Sequence, residues 1–308
     1  MTRAEVLVVG AGPAGIAAAV RASQSGAKVV VLDDNPSGGG QIWRGGPKRS
    51  AGSQASSWFR QFEACGARLV SGACVIRGDT GRRVLRVETT DSAFDIQYGE
   101  LILATGAREL FLPFPGWTLP NVTGVGGFQA LMKSGLSVEG KRVVVGGSGP
   151  LLLAVAAYLR QHGAIVPAIV EQASMASLIR FGFGLAAHPG KLWQAATLRA
   201  VLGRTPYLMG SWIVAAQGAG KVERVGIHSS SGERVVDCDY AAVAYGLAPN
   251  IELAALLGCE LRHGFVAVDA LQRTNRDGIF CAGEATGIGG VDLSLVEGEI
   301  AGYAAAGR

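Results

Sequence analysis

Cysteine pairs, charge and unbroken apolar runs are all scarce in this 308-residue chain. Its five cysteines, Cys65, Cys74, Cys238, Cys259 and Cys281, are odd in number and include no CxxC pair, which excludes a disulfide framework, a zinc knuckle and a redox-active dithiol motif. Most are expected to serve as small buried apolar residues. Charged residues make up only 17 %, the 28 basic and 24 acidic side chains leave a net charge of +4, and no run of five like charges occurs. That pattern argues against a nucleic-acid groove or a polybasic patch. The histidines, His162, His188, His228 and His263, are scattered, and neither an HExxH helix nor the spacing of a Ser-His-Asp hydrolase is present. No metal centre is expected, and no residue is designated as catalytic. The uncharged stretch Val143–Leu159 is broken by Gly146-Gly147-Ser148-Gly149-Pro150 and reads as strand, turn and helix, so no transmembrane segment is expected. An apolar strand begins within a few residues of Met1, so no leader peptide is expected either.

What the chain has in abundance is glycine, 46 residues, together with a hydrophobic class of 49 %. Many tight turns around a large apolar interior follow, and the length allows about two domains at roughly 150 residues each. Residues 5–9 form a short apolar run, followed by Gly10-Ala11-Gly12-Pro13-Ala14-Gly15, an alanine-rich helical stretch to about Ser25, Gly26, and a second apolar strand Lys28–Leu32. This is a strand–turn–helix–strand unit. The order returns about 135 residues later: strand Arg142–Val145, glycine turn, helix Leu151–His162, Gly163, strand Ile165–Val170. A repeat so widely spaced indicates two similar domains, since solenoid repeats recur every 20 to 50 residues, roughly. Val84–Thr89 with Phe94–Tyr98, and Val222–Ile227 with Arg234–Cys238, alternate with the two-residue period of antiparallel strands. Gly45–Ser57 reads as a surface loop before a helix around Trp58–Ala64.

GxGxxG between a strand and a helix has a steric logic. The first glycine makes the tight turn, the second lets the backbone approach a pyrophosphate, and the third lets helix and strand pack closely. The helix start offers free N–H groups and a positive dipole end. An acidic residue at the end of the second strand accepts bonds from ribose hydroxyls, and Asp33, with Asp34 beside it, lies 23 residues after Gly10. The second turn, Gly147-Ser148-Gly149-Pro150-Leu151, replaces the third glycine by Leu152, and Glu171 follows Gly147 by 24 residues. No basic pair suited to a 2′-phosphate lies nearby. NADH, another adenine nucleotide such as ATP, and an empty scaffold all remain open there.

Three further segments carry a family resemblance: Gly39-Gly40-Gln41-Ile42-Trp43-Arg44, Leu103-Ala104-Thr105-Gly106-Ala107-Arg108 and Gly278-Ile279-Phe280-Cys281-Ala282-Gly283-Glu284. Together they resemble the FAD-binding signatures of the two-dinucleotide-binding-domain flavoproteins, the superfamily of glutathione reductase, thioredoxin reductase and ferredoxin reductases. The resemblance implies an α/β fold of two Rossmann-like three-layer domains, the second inserted in the first. Residues 1–115 and 241–308 form the expected FAD-binding domain, and residues 116–240 the NAD(P)-binding-like one. It further implies an FAD site built from Gly10, Gly12, Pro13, Ala14, Gly15, Asp33, Asp34, Gly40, Gln41, Ile42, Arg44, Cys74, Val75, Ala104, Thr105, Gly106, Gly283, Glu284 and Val291. Glu284 stands where most of the superfamily has aspartate. The helix from about Val291 is expected to aim its positive end at the flavin.

A narrower resemblance rests on Gly39–Arg44, Ala104–Gly127 with Arg108-Glu109 and Leu112-Pro113-Phe114-Pro115-Gly116-Trp117, Gly147–Leu152, Tyr245–Asn250 and Glu284–Gly290. These look like the FAD-binding subunit of bacterial amino-acid and opine dehydrogenase complexes: octopine and nopaline oxidase, hydrogen cyanide synthase and D-hydroxyproline dehydrogenase. That likeness implies an electron-transfer subunit, with C–N bond oxidation at a partner flavoprotein acting on an amino acid, hydroxyproline, proline or an opine. An iron–sulfur cluster on a further small subunit, or FMN at a subunit interface, is compatible with it. It implies a cytoplasmic chain, free or peripheral to the inner membrane. The rivals are a free-standing NADH-dependent reductase of a ferredoxin-like or quinoid acceptor, favoured by Gly147, Gly149 and Glu171, and a flavin-binding scaffold without turnover. Phe111, Phe114 and Trp117 are expected in a core or a domain interface.

Overall fold

The computed structural model describes residues 2–44, 46, 54–184 and 189–307. The chain divides into two compact units, Met1–Arg108 with Leu247–Arg308, and Glu109–Gly246.

In the first unit, strands Arg68–Ser71, Val29–Asp33, Thr2–Val9 and Ala93–Leu103 lie side by side in that order, and Ile279–Cys281 joins beyond the last. These neighbours are all parallel. Ala93–Leu103 also serves a second purpose, pairing its first half antiparallel with Val84–Glu88, which in turn pairs with Cys74–Asp79. Successive residues of the inner strands alternate between two cores: Val6, Val8, Val29 and Val31 face one side, Leu7, Val9, Val30 and Leu32 the other. Burial of both faces explains why these strands read as unbroken apolar runs.

Helix Pro13–Gln24 covers one face beside helix Val291–Ala305. The two approach backbone to backbone. A Cβ on Gly298 would stand 2.2 Å from the Ala14 carbonyl oxygen, and one on Gly302 2.4 Å from that of Ala18. Two glycines four residues apart thus present a flat strip along one helix face.

In the second unit five parallel strands run in the order Tyr207–Met209, Ile169–Glu171, Val143–Gly147, Tyr240–Ala244, Val122–Gly124. A three-stranded antiparallel sheet, Ser211–Gln217, Arg224–Ser229 and Gly232–Asp237, adds to it. The parallel sheet is again buried on both faces, with Val143 and Val145 in one core and Val144 in the other.

Several expected boundaries move. The crossings between units fall after Arg108 and Gly246, where 115/116 and 240/241 are expected. Tyr240–Ala244 is an inner strand of the second unit's sheet, hydrogen-bonded on both sides, so it belongs there. The 109–115 segment is tied to the same unit: the Pro115 carbonyl accepts the Ala216 N–H at 2.8 Å, and Phe111 stacks with Phe114 against its core, while Trp117, tilted beside Phe111, is 44 % exposed where burial is expected. Strand Ile169–Glu171 is shorter than expected, Ile165 contributing only an isolated bridge to Arg142. Helix Gln54–Ala64 starts before Ser57, and Gly45 and residues 47–53 of the expected loop lie outside the described residues, as does His188. Cys238, Cys259 and Cys281 are buried, whereas Cys74 is exposed on the edge strand Cys74–Asp79.

Gly302→Val is expected to cost about 2–3 kcal/mol, because the Ala18 carbonyl it meets is backbone and cannot turn aside. A lowered urea midpoint with an unchanged slope checks it.

Candidate functional site

The first glycine turn is held by contacts that admit no side chain. Gly10 has φ +102°, and a Cβ there would stand 2.2 Å from the Ala104 carbonyl oxygen; one on Gly15 would stand 1.8 Å from the Gly10 oxygen. Gly12 differs. Its nearest neighbour is the Gly40 Cα at 4.0 Å, so it faces open space.

That space is a cavity of about 630 Å³ within the first unit. Gly10, Gly12, Pro13 and Ala14 line it from the turn, Asp33, Asp34 and Asn35 from the end of the second strand, and Gly40, Gln41 and Ile42 from the following loop. Cys74, Val75, Ala104, Thr105, Gly106, Gly283, Glu284 and Val291 complete the wall, so these expected site residues converge on one place. Pro13 and Val291 each open a helix, and neither helix start has a side-chain cap. Two positive helix ends with free N–H groups therefore meet at the cavity, an arrangement suited to phosphate.

Two expected residues are placed differently. Gly15 does not line the cavity; it is the contact point between helix and turn. Arg44 also stands outside it: its Nη2 donates to the Gln41 carboxamide oxygen, and its buried Nε has no partner among the described residues. Trp43 next to it is buried with its ring 5.9 Å from that of Phe59, which anchors the loop through packing.

Asp33 is 5 % exposed, and its carboxylate closes the turn. Oδ2 accepts the Ala11 N–H, while Oδ1 accepts the Asn35 N–H at 2.8 Å and the Asn35 side-chain amide at 3.0 Å. Asn35 also donates to Asp34 at 2.7 Å. A carboxylate offers about four lone-pair positions, so one remains for a ligand hydroxyl.

Opposite, Glu284 projects from the wall with no hydrogen-bond partner among the described residues, and burial alone pushes its carboxyl above the ordinary range. Glu297, on the helix below, accepts the Gly283 N–H at 2.8 Å and the Thr286 hydroxyl at 3.1 Å. Burial pushes its carboxyl up too, against the pull of those two bonds. Asn250 joins the wall through a reciprocal pair: the Thr105 hydroxyl donates to its backbone carbonyl at 2.6 Å and its side-chain amide donates to the Thr105 carbonyl at 2.8 Å. Arg108 donates to the Asn250 side chain at 2.7 Å and pairs with Glu252 at 2.6 Å. Sequence reasoning names none of Asn35, Asn250 and Glu297 as site residues. The segment Tyr245–Asn250 carries a signal; the other two carry no motif.

The second unit has a turn of the same construction. A Cβ on Gly147 would stand 1.9 Å from the Ala244 oxygen, and the Ser148 N–H donates to that same oxygen at 2.9 Å. Leu152, in place of a third glycine, is fully buried in the core, while Pro150 and Leu151 are exposed at the helix start. Glu171 is 0 % exposed. It accepts the Gly149 N–H at 3.0 Å, the Ala173 N–H at 2.8 Å and the Tyr207 hydroxyl at 3.0 Å. Burial first, and then the Glu171 carboxylate, raise the Tyr207 phenol well above its usual range, so it stays a donor.

The pyridine nucleotide-disulphide oxidoreductase family model matches residues 4–306. The chain is 33 % identical to an opine oxidase subunit of Agrobacterium tumefaciens (strain Ach5), over 98 % of this chain and 65 % of that protein. It is 30 % identical to the HcnB subunit of hydrogen cyanide synthase from Pseudomonas aeruginosa, over 96 % and 69 % respectively. It thus spans less than two thirds of the length of that opine oxidase protein. Among solved structures, thioredoxin reductase from T. acidophilum superposes with a TM-score of 0.73 at 23 % identity, covering 100 % of this chain and 99 % of that one. L-proline dehydrogenase from P. horikoshii gives 0.68 at 21 %, covering 98 % and 54 %. At these identities the two structures speak for the fold.

Gly12→Val is expected to fold normally, because no protein atom obstructs it, yet to fill the mouth of the turn and abolish retention of a bound dinucleotide. Gly10→Val, clashing with backbone, is expected to unfold the unit. Circular dichroism and the absorbance of the purified proteins distinguish the two.

Proposed function

Because this chain belongs to the pyridine nucleotide-disulphide oxidoreductase family and is a flavoprotein oxidoreductase, we propose that it is the FAD-bearing electron-transfer subunit of a hetero-oligomeric dehydrogenase. The partner flavoprotein oxidises the C–N bond of an amino acid, hydroxyproline, proline or an opine. The observation that carries this reading is the contrast between the two glycine turns.

The first turn fits FAD. Gly12 leaves backbone open to a pyrophosphate, the two uncapped helix starts supply N–H donors, Asp33 keeps an acceptor for the ribose, and Glu284 is a half-buried carboxylate awaiting hydroxyl donors of the ribityl chain. Gly40, Gln41, Ile42, Cys74, Val75, Thr105 and Gly106 would enclose the rest. When bound, FAD supplies the acceptance and onward release of two electrons. The protein's part is to hold it, to keep water from it, and to fix the Ala104-Thr105-Gly106 turn through Asn250 and Arg108.

The family implies a nicotinamide nucleotide as well as FAD, and Gly147, Gly149 and Glu171 favour a second reading as an NADH-dependent reductase. Against rapid use of NADH stands the way Glu171 is held: fully buried, with two amides and a phenol on the acid that a ribose needs. By count Glu171, like Asp33, keeps one lone-pair position, but it is fully enclosed where Asp33 lines an open cavity. A ribose hydroxyl therefore reaches it only by moving Tyr207 aside, giving up one charge-assisted hydrogen bond to gain another.

Anaerobic titration with NADH, followed at the flavin band, decides between them. The relay reading expects the flavin to stay oxidised with NADH or amine alone, and to be reduced when amine is supplied together with the partner flavoprotein. Rapid reduction by NADH alone would sink it. Tyr207→Phe is expected to strengthen NADH binding about tenfold, the worth of one such bond, measured by quenching of NADH fluorescence.

A further inference from the structure

Helix Met175–Gly184 is built inside out. Its spacing places Met175, Ile179 and Phe183 at i, i+4 and i+8, one stripe along one face. In a surface helix that stripe faces the core. Here the helix has no buried residue, Met175 and Ile179 are half exposed, and Phe183 is 77 % exposed. Trp193 on the next helix, Pro189–Leu202, is 73 % exposed. A ten-residue helix has little stability of its own in water and draws it from packing of its apolar face. Among the described residues nothing covers that face.

Its charge says what would cover it. Residues 175–206 hold Arg180, Lys191, Arg199 and Arg204 and no acid, so this stretch carries +4, equal to the net charge of the whole chain. No aspartate or glutamate occurs between Glu171 and Glu223. A second copy of the chain would bring like charges together. A groove on an acidic protein would call for bases only at the contact itself. A plane of anionic headgroups repels every carboxylate within a Debye length, which accounts for an acid-free stretch of this extent.

We propose that the outward stripe Met175, Ile179 and Phe183, with Trp193, seats the protein on an anionic phospholipid surface, with Arg180, Arg199 and Arg204 against the headgroups. Exposed aromatic and aliphatic side chains beside bases are what a helix lying in the membrane interface requires. No helix among the described residues is long and apolar enough to cross a bilayer, so the contact is peripheral. The proposal goes beyond the electron-transfer reading and stands apart from it, since vesicle binding involves no redox chemistry.

Flotation of the FAD-loaded protein with vesicles tests it. The protein is expected to float with phosphatidylcholine mixed with phosphatidylglycerol at low salt, and to stay behind with phosphatidylcholine alone. Ile179→Ser with Phe183→Ser should lower binding at least tenfold. Arg180→Glu with Arg199→Glu should remove the preference for anionic lipid, at about fivefold per base lost or more. Trp193 emission should shift to the blue on the mixed vesicles, a shift absent from Trp193→Phe. All these side chains are exposed, and retained FAD absorbance certifies each variant. Failure to float with either vesicle, or equal flotation by the serine variant, overturns the proposal. So does a dimer in solution that the serine variant dissolves, which would assign the face to a second copy, or tight binding of an acidic protein partner that vesicles do not displace.

Discussion

A carboxylate at the end of a strand, bonded to the amide of a glycine turn, is the interaction on which both units depend. Asp33 does this for Ala11, and Glu171 for Gly149. Each also takes the amide two residues further on, of Asn35 or Ala173, so the strand end and the turn are fixed against each other. Removing the acid would leave a buried N–H without a partner, at about 1–3 kcal/mol for that group alone. The direction of the helix that follows, and thus of its positive end, is set by this one clasp. The third donor makes the difference between the units. Asn35 reaches Asp33 from the same loop and can yield, whereas Tyr207 comes from a neighbouring strand and is held by the sheet.

The cavity of the first unit inherits its polarity from two such helices. Their backbones meet at Gly298 and Gly302, which brings the starts at Pro13 and Val291 to one wall. Glu297 then fixes the Gly283 turn from below, and Glu284 is left as the acid that faces inward. Two carboxylates from neighbouring stretches of sequence thus divide the work, one spent on the backbone and one kept for a ligand.

Most of this cavity is legible in the sequence because its parts are turns, and turns write their geometry in glycine. Gly10, Gly40, Gly106 and Gly283 each announce a backbone in the left-handed region, and Gly12 a backbone left open toward a ligand. Asp33 is legible through its distance from Gly10. Glu297 and Asn250 are not, because what they do depends on which distant segment the fold lays beside them. Tyr207 is hidden for the same reason: only the register Ile169 to Tyr207 brings its hydroxyl to Glu171. Gly15 and Arg44 show the converse, residues with a motif position whose side of the backbone is turned to packing or to a neighbouring side chain. The boundary after Gly246 escapes the sequence because Tyr240–Ala244 is an apolar strand that either sheet would accept.

The first unit is written in two pieces of sequence, and this has a consequence for its synthesis on the ribosome. Residues Glu109–Gly246 are contiguous and emerge complete, so that unit can fold while the tail is still being made. The earlier-born strands of the first unit must wait for Ile279–Cys281 to take its place beside Ala93–Leu103, and for Val291–Ala305 to cover Pro13–Gln24. Until then the alanine-rich face of the first helix stays bare, a nascent chain open to chaperones and to wrong partners. Of the segments that build the first unit, Val291–Ala305 is made after the others and supplies Val291 and Ser294 to the cavity wall, so the cavity is complete only once that helix has emerged.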